Sequence, residues 1–182
     1  AGLQDPSEAV RAAAAAALRS LAGRGHKLAR AAAMACLEHR DFEIRARGLG
    51  LLADFAEEGD KAAIAAVEVY LEDGVGRVRA AAVQALARAA PRGDAAAIAA
   101  AAARLEDPEA GVRAAALEAL TQLADQGDPA AMAAAMARTK HRDGRVRAAA
   151  IEALAQLARK GDSAAMAEVA ACLEDCCHLR HR

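Results

Sequence analysis

Val10-Arg11, Ile44-Arg45, Val78-Arg79, Val112-Arg113 and Val146-Arg147 follow one another at intervals of 34 residues, and the heptapeptide GRVRAAA occurs at both 76–82 and 144–150. No insertion interrupts the period. It divides the chain into five repeats: 5–38, 39–72, 73–106, 107–140 and 141–174; the last two share 18 of 34 residues. A fixed period of this length marks stacked supersecondary units, none of which can bury its apolar face alone.

Each repeat reads as a helical hairpin. Alanine supplies most of the 55% hydrophobic content and is the best helix former, while glycine and proline are few, so the expectation is an all-α chain. Asp5-Pro6 and Asp107-Pro108 read as an N-cap followed by proline at the first helical position. The first helix of the hairpin, helix A, carries apolar residues at helical spacing, as at Val112, Ala116, Leu120 and Leu123. Gly25, Gly59, Gly93, Gly127 and Gly161 then suit a left-handed position just past its end. Asp60, Asp94, Asp128 and Asp162 follow as N-caps for helix B, and His26 in the first repeat is the weaker cap. Helix B places Ile64, Ile98, Met132 and Met166 at one core position and Leu37, Leu71, Leu105 and Leu173 at another. Pro91 predicts an early end to helix A of the third repeat. Gly48 and Gly50, inside helix A of the second, predict either room for Phe42 or Phe55 or a local bend.

The pattern D-x-x-x-x-V-R-x-A-A-x-x-A-L-x-x-L-A-x-x-G-D resembles the HEAT-like repeats of the phycobilisome-lyase type, in a short 34-residue form. The tetratricopeptide repeat has a similar length, but its Trp, Leu-Gly, Tyr and Phe positions are missing. The resemblance implies a right-handed α-solenoid of stacked antiparallel hairpins, with helix A convex and helix B concave. It also implies a non-catalytic scaffold that binds proteins; fewer members of the family act on nucleic acid or attach bilins. At 8–10 Å between packed helices, five hairpins would extend on the order of 50 Å. AGLQ at 1–4 aligns with ACLE at 35–38, and 175–182 open like a sixth repeat. The sequence therefore reads as one α-solenoid over 1–182, cut from a longer array.

Candidate functional residues fall into three groups. Arg11, Arg45, Arg79, Arg113 and Arg147 form one column, read as a structural ladder paired with aspartates such as Asp60, Asp94, Asp128 and Asp162 rather than as an anion-binding stripe. On helix B, Ala65, Ala66, Ala99, Ala100, Ala133 and Ala134, with Val69, should face away from the core, where small side chains let a partner helix or peptide approach closely. Tyr70, Arg104 and Arg138 would form the polar edge of that surface. Cys172, Cys176, Cys177 and His178 offer metal-type ligands, but at no standard zinc spacing, so no metal or other cofactor is expected.

Composition excludes several classes. A formal charge of −1 gives no global pull toward nucleic acid, and the basic loop around Arg138, Lys140, His141, Arg142 and Arg145 lacks the aromatic residues that stack bases. No uncharged stretch is long enough to span a bilayer. Ser7, Ser20, Thr121 and Ser163 belong to no recognisable nucleophile motif, and no enzyme is expected. Four unevenly placed cysteines make no disulfide framework, which points to a reducing intracellular compartment.

Overall fold

The computed structural model describes residues 2–178, with side chains through Cys172. Its main elements are α1 (Glu8–Leu21), α2 (Lys27–Leu37), α3 (Phe42–Phe55), α4 (Lys61–Val69), α5 (Gly76–Ala89), α6 (Ala95–Ala103), α7 (Ala110–Leu123), α8 (Pro129–Met136), α9 (Gly144–Leu157) and α10 (Ser163–His178). Among the described residues there is no strand. The odd-numbered helices are the A helices, each 14 residues long. Two compact units result, 1–91 with α1–α5 and 92–182 with α6–α10.

In the first unit α2 packs on α3, α4 on α5, and α3 on α5. The second repeats the scheme, with α6 on α7, α8 on α9 and α7 on α9. Each of these B helices thus leans chiefly on the A helix of the following hairpin. Val112, Ala116, Leu120 and Leu123 are buried, as their spacing predicts. The inner face of helix B departs from expectation. Its constant core residues are Ala29, Ala63, Ala97, Ala131 and Ala165, with Ala33, Val67, Ala101 and Ala135 one turn on, all buried. Leu37, Leu71, Leu105, Ile98 and Met132 are buried too, but Ile64 is only half-buried and Met166 is exposed.

The turn chemistry is richer than the sequence suggested. The five turn glycines have φ between +76° and +85°, a region that L side chains avoid. They are not the residues that end helix A. That helix ends three residues earlier at an extended C-cap, Ala22 in the first repeat and Ala124 in the fourth. The glycine amides instead reach the next repeat: Gly25 donates to the Phe55 carbonyl at 2.7 Å, Gly59 to Ala89 at 2.8 Å, Gly93 to Leu123 at 2.7 Å and Gly127 to Leu157 at 2.7 Å. Each bond satisfies a last-turn carbonyl that its own helix leaves open.

Helix starts are also displaced. The first residue of every repeat makes a turn before the helix: Asp5, Asp73 and Asp107 accept through Oδ1, and His39 and His141 through Nδ1, from the backbone N–H two residues on. Consequently α1 begins at Glu8 and α7 at Ala110, not at Pro6 and Pro108. Pro91 shortens nothing. It lies beyond the extended C-cap Ala90, where its ring has no preceding turn to strike, and α5 ends in register with the other A helices. Helix α10 runs on through His178.

Candidate functional site

The arginine column is structural, but its acceptors differ from those expected. Nη1 of each arginine reaches back to the loop that opens its own repeat. Arg11 donates to the carbonyls of Asp5 and Pro6 at 2.8 and 3.0 Å, and Arg113 to those of Asp107 and Pro108 at 2.7 and 3.0 Å. Arg45 holds His39 and Arg40, Arg79 holds Asp73, and Arg147 holds His141 and Arg142. Arg45 also forks onto Asp73, Nε and Nη2 each lying 3.0 Å from a carboxylate oxygen. Burial raises the Asp73 carboxyl pKa, but its hydrogen bonds from Arg45 and from the Val75 amide outweigh that and hold it below the usual carboxylate range. Asp60, Asp94, Asp128 and Asp162 are N-caps of the B helices instead. Asp60 additionally pairs with Arg30. The geometric reason is that each of these carboxylates is turned onto its own helix N-terminus. His26 makes one longer cap bond, 3.3 Å to the Ala29 amide, and so caps less well, as expected.

The outer face of helix B is alanine at nearly every position, with Val69 and Glu168 as the exceptions. In the first unit Ala31, Ala65, Ala35 and Val69 are exposed, with Ala32 and Ala66 half-buried beside them. In the second unit Ala99, Ala133, Ala137, Ala167 and Ala171 are exposed and Ala100, Ala134 and Ala103 half-buried. These faces offer a shallow apolar surface with helix backbone close beneath it. Their polar edges are already engaged. Tyr70 is half-buried, and burial together with the nearby Glu38 raises its phenol pKa. Arg138 Nε lies 2.8 Å from Glu106 Oε1, and its Nη1 donates to the Ala134 carbonyl at 2.8 Å. Arg104 is half-buried in the same register position.

The HEAT-repeat family profile matches residues 1–87, 31–121 and 98–180, overlapping stretches that take in almost the whole chain. The chain belongs to the HEAT-repeat family. Its fold class is all-α, an α-solenoid of stacked helical hairpins. Two solved structures are similar to it. A designed armadillo repeat protein in complex with the peptide (KR)4 shares 16% identity at a TM-score of 0.53, covering 85% of this chain and 78% of that one. A second designed armadillo repeat protein shares 16% identity at 0.53, covering 94% and 85%. No curated protein matches.

The basic loop of this HEAT-repeat chain is built for turn-making. His39 and His141 replace the repeat-opening aspartate, and Asp41 and Asp143 then cap α3 and α9 through the amides of Glu43 and Arg145 at 2.9 and 2.8 Å. The Arg145 amide, foremost, holds the Asp143 carboxyl below its usual range. Lys140 lies 3.6 Å from Glu168 and Arg145 3.6 Å from Asp143. The HRD segments therefore hold chain turns together, a role hidden by their positive charge.

Among the described residues no cluster of three or more His, Cys, Asp or Glu side chains is placed to hold a metal. Cys172 is half-buried, its Sγ 3.9 Å from the Thr139 carbonyl; the side chains of Cys176, Cys177 and His178 lie outside the described residues. Cys36 is buried, which raises its thiol pKa. No helix among the described residues is long and apolar enough to cross a membrane.

Sequence reasoning passed over Thr139. It stands where the first three repeats carry a core leucine, it is fully buried, and its hydroxyl lies 2.6 Å from Glu168 Oε1. Glu168 is the one departure from alanine in its column. The two exceptions answer each other, and the pairing was legible only as two irregularities 29 residues apart. Thr139→Val should cost about 1–2 kcal/mol by leaving a partly buried carboxylate without its donor. The double change Thr139→Val with Glu168→Ala, which removes the stranded carboxylate as well, should recover most of that loss. Urea unfolding of the two single variants and the double checks the coupling; strictly additive effects would mean that the pair does not interact.

Proposed function

We propose that this HEAT-repeat chain is a non-catalytic, intracellular protein-interaction scaffold of the short phycobilisome-lyase type, binding a partner protein or peptide along the alanine faces of its B helices. The first-unit surface comprises Ala65, Ala66, Val69 and Tyr70. The second-unit surface comprises Ala99, Ala100, Ala133 and Ala134, edged by Arg104 and Arg138. One observation carries the reading: helix positions that could hold any solvated residue hold alanine in nearly every repeat and are exposed. A surface that is apolar, small-residued and close to the backbone admits another helix or strand at van der Waals distance. The neighbouring fold solved with the peptide (KR)4 is consistent with such use. Nucleic acid is less well supported, because Arg138, Lys140 and Arg145 already face carboxylates.

Affinity capture from native extract, using the parent beside the variant Ala65→Glu, Ala99→Glu, Ala133→Glu, tests the reading. Circular dichroism must first show equal helicity. Proteins retained by the parent and lost by the variant are the expected result. Identical captured sets would remove the alanine faces as the binding surface.

A further inference from the structure

Two junctions between A helices, one in each unit, lie two repeats apart in sequence and compare position by position. Between α3 and α5 the arginines are answered within the chain. Arg45 forks onto Asp73 with two bonds of 3.0 Å, and Arg77 pairs across the junction with Glu43. Between α7 and α9 the same arginines recur as Arg113 and Arg145, but both acids are replaced. Gly111 stands in the position of Glu43 and His141 in that of Asp73, while Ala110 takes the place of Phe42. A groove of about 440 Å³ lies there, walled by Ala114, Leu117, Ala148 and Ala149. Arg113 and Arg145 line it near the helix starts, and Glu118 and Glu152 line it further along.

The charges that remain do not make up for the two lost acids. Arg113 commits Nη1 to the carbonyls of Asp107 and Pro108, and among the described residues no carboxylate sits on its fork. The Arg145 side chain is 73% exposed and faces its own Asp143 at 3.6 Å. That carboxylate already accepts from the Arg145 amide at 2.8 Å, and the charges of both arginines and of His141 act on it. One acid thus serves two guanidiniums. His141 is no substitute, because its Nδ1 accepts from the Asp143 amide and its Nε2 lies 3.9 Å from Glu106. The starts of α7 and α9 add the positive ends of two helix dipoles.

We infer that the groove between α7 and α9 docks an acidic peptide segment of a partner protein, whose carboxylates take the places that Glu43 and Asp73 hold at the α3–α5 junction. The chain itself shows the chemistry, since a carboxylate on the Nε–Nη2 edge of the arginine in this position is what Arg45 binds. Such forks are directional and charge-assisted, so this end of the groove selects acids over neutral side chains. A Cβ on Gly111 would meet nothing within 4 Å, so the position that Glu43 fills at the other junction is open to an incoming acid. The far end selects the opposite sign. Glu118 and Glu152 follow the arginines on their own helices by about 8–10 Å along the axis. An extended segment covers that distance in about three residues, so a basic residue three places from the acids reaches the glutamates. The alanine walls let the backbone of the segment lie close. This surface belongs to the A helices and is separate from the alanine faces of the B helices.

The probe is the acetylated, amidated peptide DEAAK, titrated into the full chain and followed by heteronuclear NMR. Saturable amide shifts concentrated on α7 and α9 are expected, with a Kd on the order of 100 μM for so short a ligand. The neutral peptide NQAAQ should bind roughly tenfold more weakly or worse. Raising NaCl from about 50 to 500 mM should weaken DEAAK severalfold. Arg145→Met should weaken it roughly tenfold. Gly111→Glu, which returns an acid of the chain's own to Arg145, should cost about as much, whereas Gly111→Gln, of equal bulk, should cost no more than about threefold. Equal circular dichroism of the variants excludes unfolding as the cause. No saturable shift up to about 5 mM peptide overturns the inference. So do shifts lying outside α7 and α9, equal binding of the two peptides, or equal losses in Gly111→Glu and Gly111→Gln. If inorganic phosphate at the same concentration reproduces the shifts and displaces the peptide, the arginines are a general anion point and the peptide assignment falls.

Discussion

Arg45→Met is expected to lower the stability of the first unit by about 3 kcal/mol, because it strands a largely buried acid and two loop carbonyls together. Methionine keeps the length and apolar stem of the side chain, so packing is nearly conserved and the loss is polar. The Arg45 side chain is 16% exposed and that of Asp73 10%, which places the pair well inside the range where removing one partner is costly. The pH dependence has a definite sign. Asp73 has a depressed carboxyl pKa in the fold, so the folded state binds fewer protons than the unfolded chain. Its contribution is fully present above the unfolded value and is lost as pH falls through the folded one. The deficit of Arg45→Met against the parent should therefore be largest near neutrality and shrink below about pH 4. Tyr70, the only tyrosine of a chain without tryptophan, lies in the first unit and reports its unfolding by fluorescence. A deficit that does not change between pH 7 and pH 3 would show that the fork onto Asp73 contributes little.

Two alanine substitutions on α3 should have opposite signs. Helix propensity alone predicts that Gly48→Ala and Gly50→Ala both stabilise, by about 1 kcal/mol each. A Cβ on Gly48, however, would stand 2.8 Å from Cys36 Cβ, 3.0 Å from Leu37 Cδ2 and 3.1 Å from the Ala33 carbonyl. The Cys36 Cβ and the Ala33 carbonyl are fixed to the α2 backbone and cannot turn aside, so α2 must shift bodily. Overpacking of that kind should outweigh the propensity gain and leave Gly48→Ala less stable by about 2 kcal/mol. At Gly50 the nearest atom is Arg88 Nη2 at 3.9 Å, the end of a flexible side chain, and the gain should survive. Chemical denaturation followed at Tyr70 separates the two. Stabilisation by both would mean that the close approach of α2 to α3 is not a constraint. Neither Phe42 nor Phe55 is what Gly48 makes room for; the glycine admits α2 itself.

Much of this architecture was readable one residue at a time. The unbroken 34-residue period required stacked hairpins, the turn glycines required a left-handed backbone, and Asp60, Asp94, Asp128 and Asp162 required helix N-termini, because each demand is local and falls on a residue type with few alternatives. The outward alanines were legible for the same reason, since helical spacing alone sets which residues share a face. What lay beyond the sequence is which neighbour each group meets. The guanidiniums of the Val-Arg pairs curl back onto loop carbonyls, and the carboxylate that Arg45 meets is Asp73 at the start of the next repeat, not a helix-capping aspartate such as Asp60. A shared period places two columns at equal intervals and says nothing of the distance between them. The turn amides likewise bond a helix some thirty residues on, and Thr139 and Glu168 meet only because α8 and α10 belong to successive hairpins. Local sequence determined the helices, turns and caps, because backbone conformation depends on near neighbours. Tertiary packing decided the partners, because burial and hydrogen-bond reach exist only once the hairpins stack.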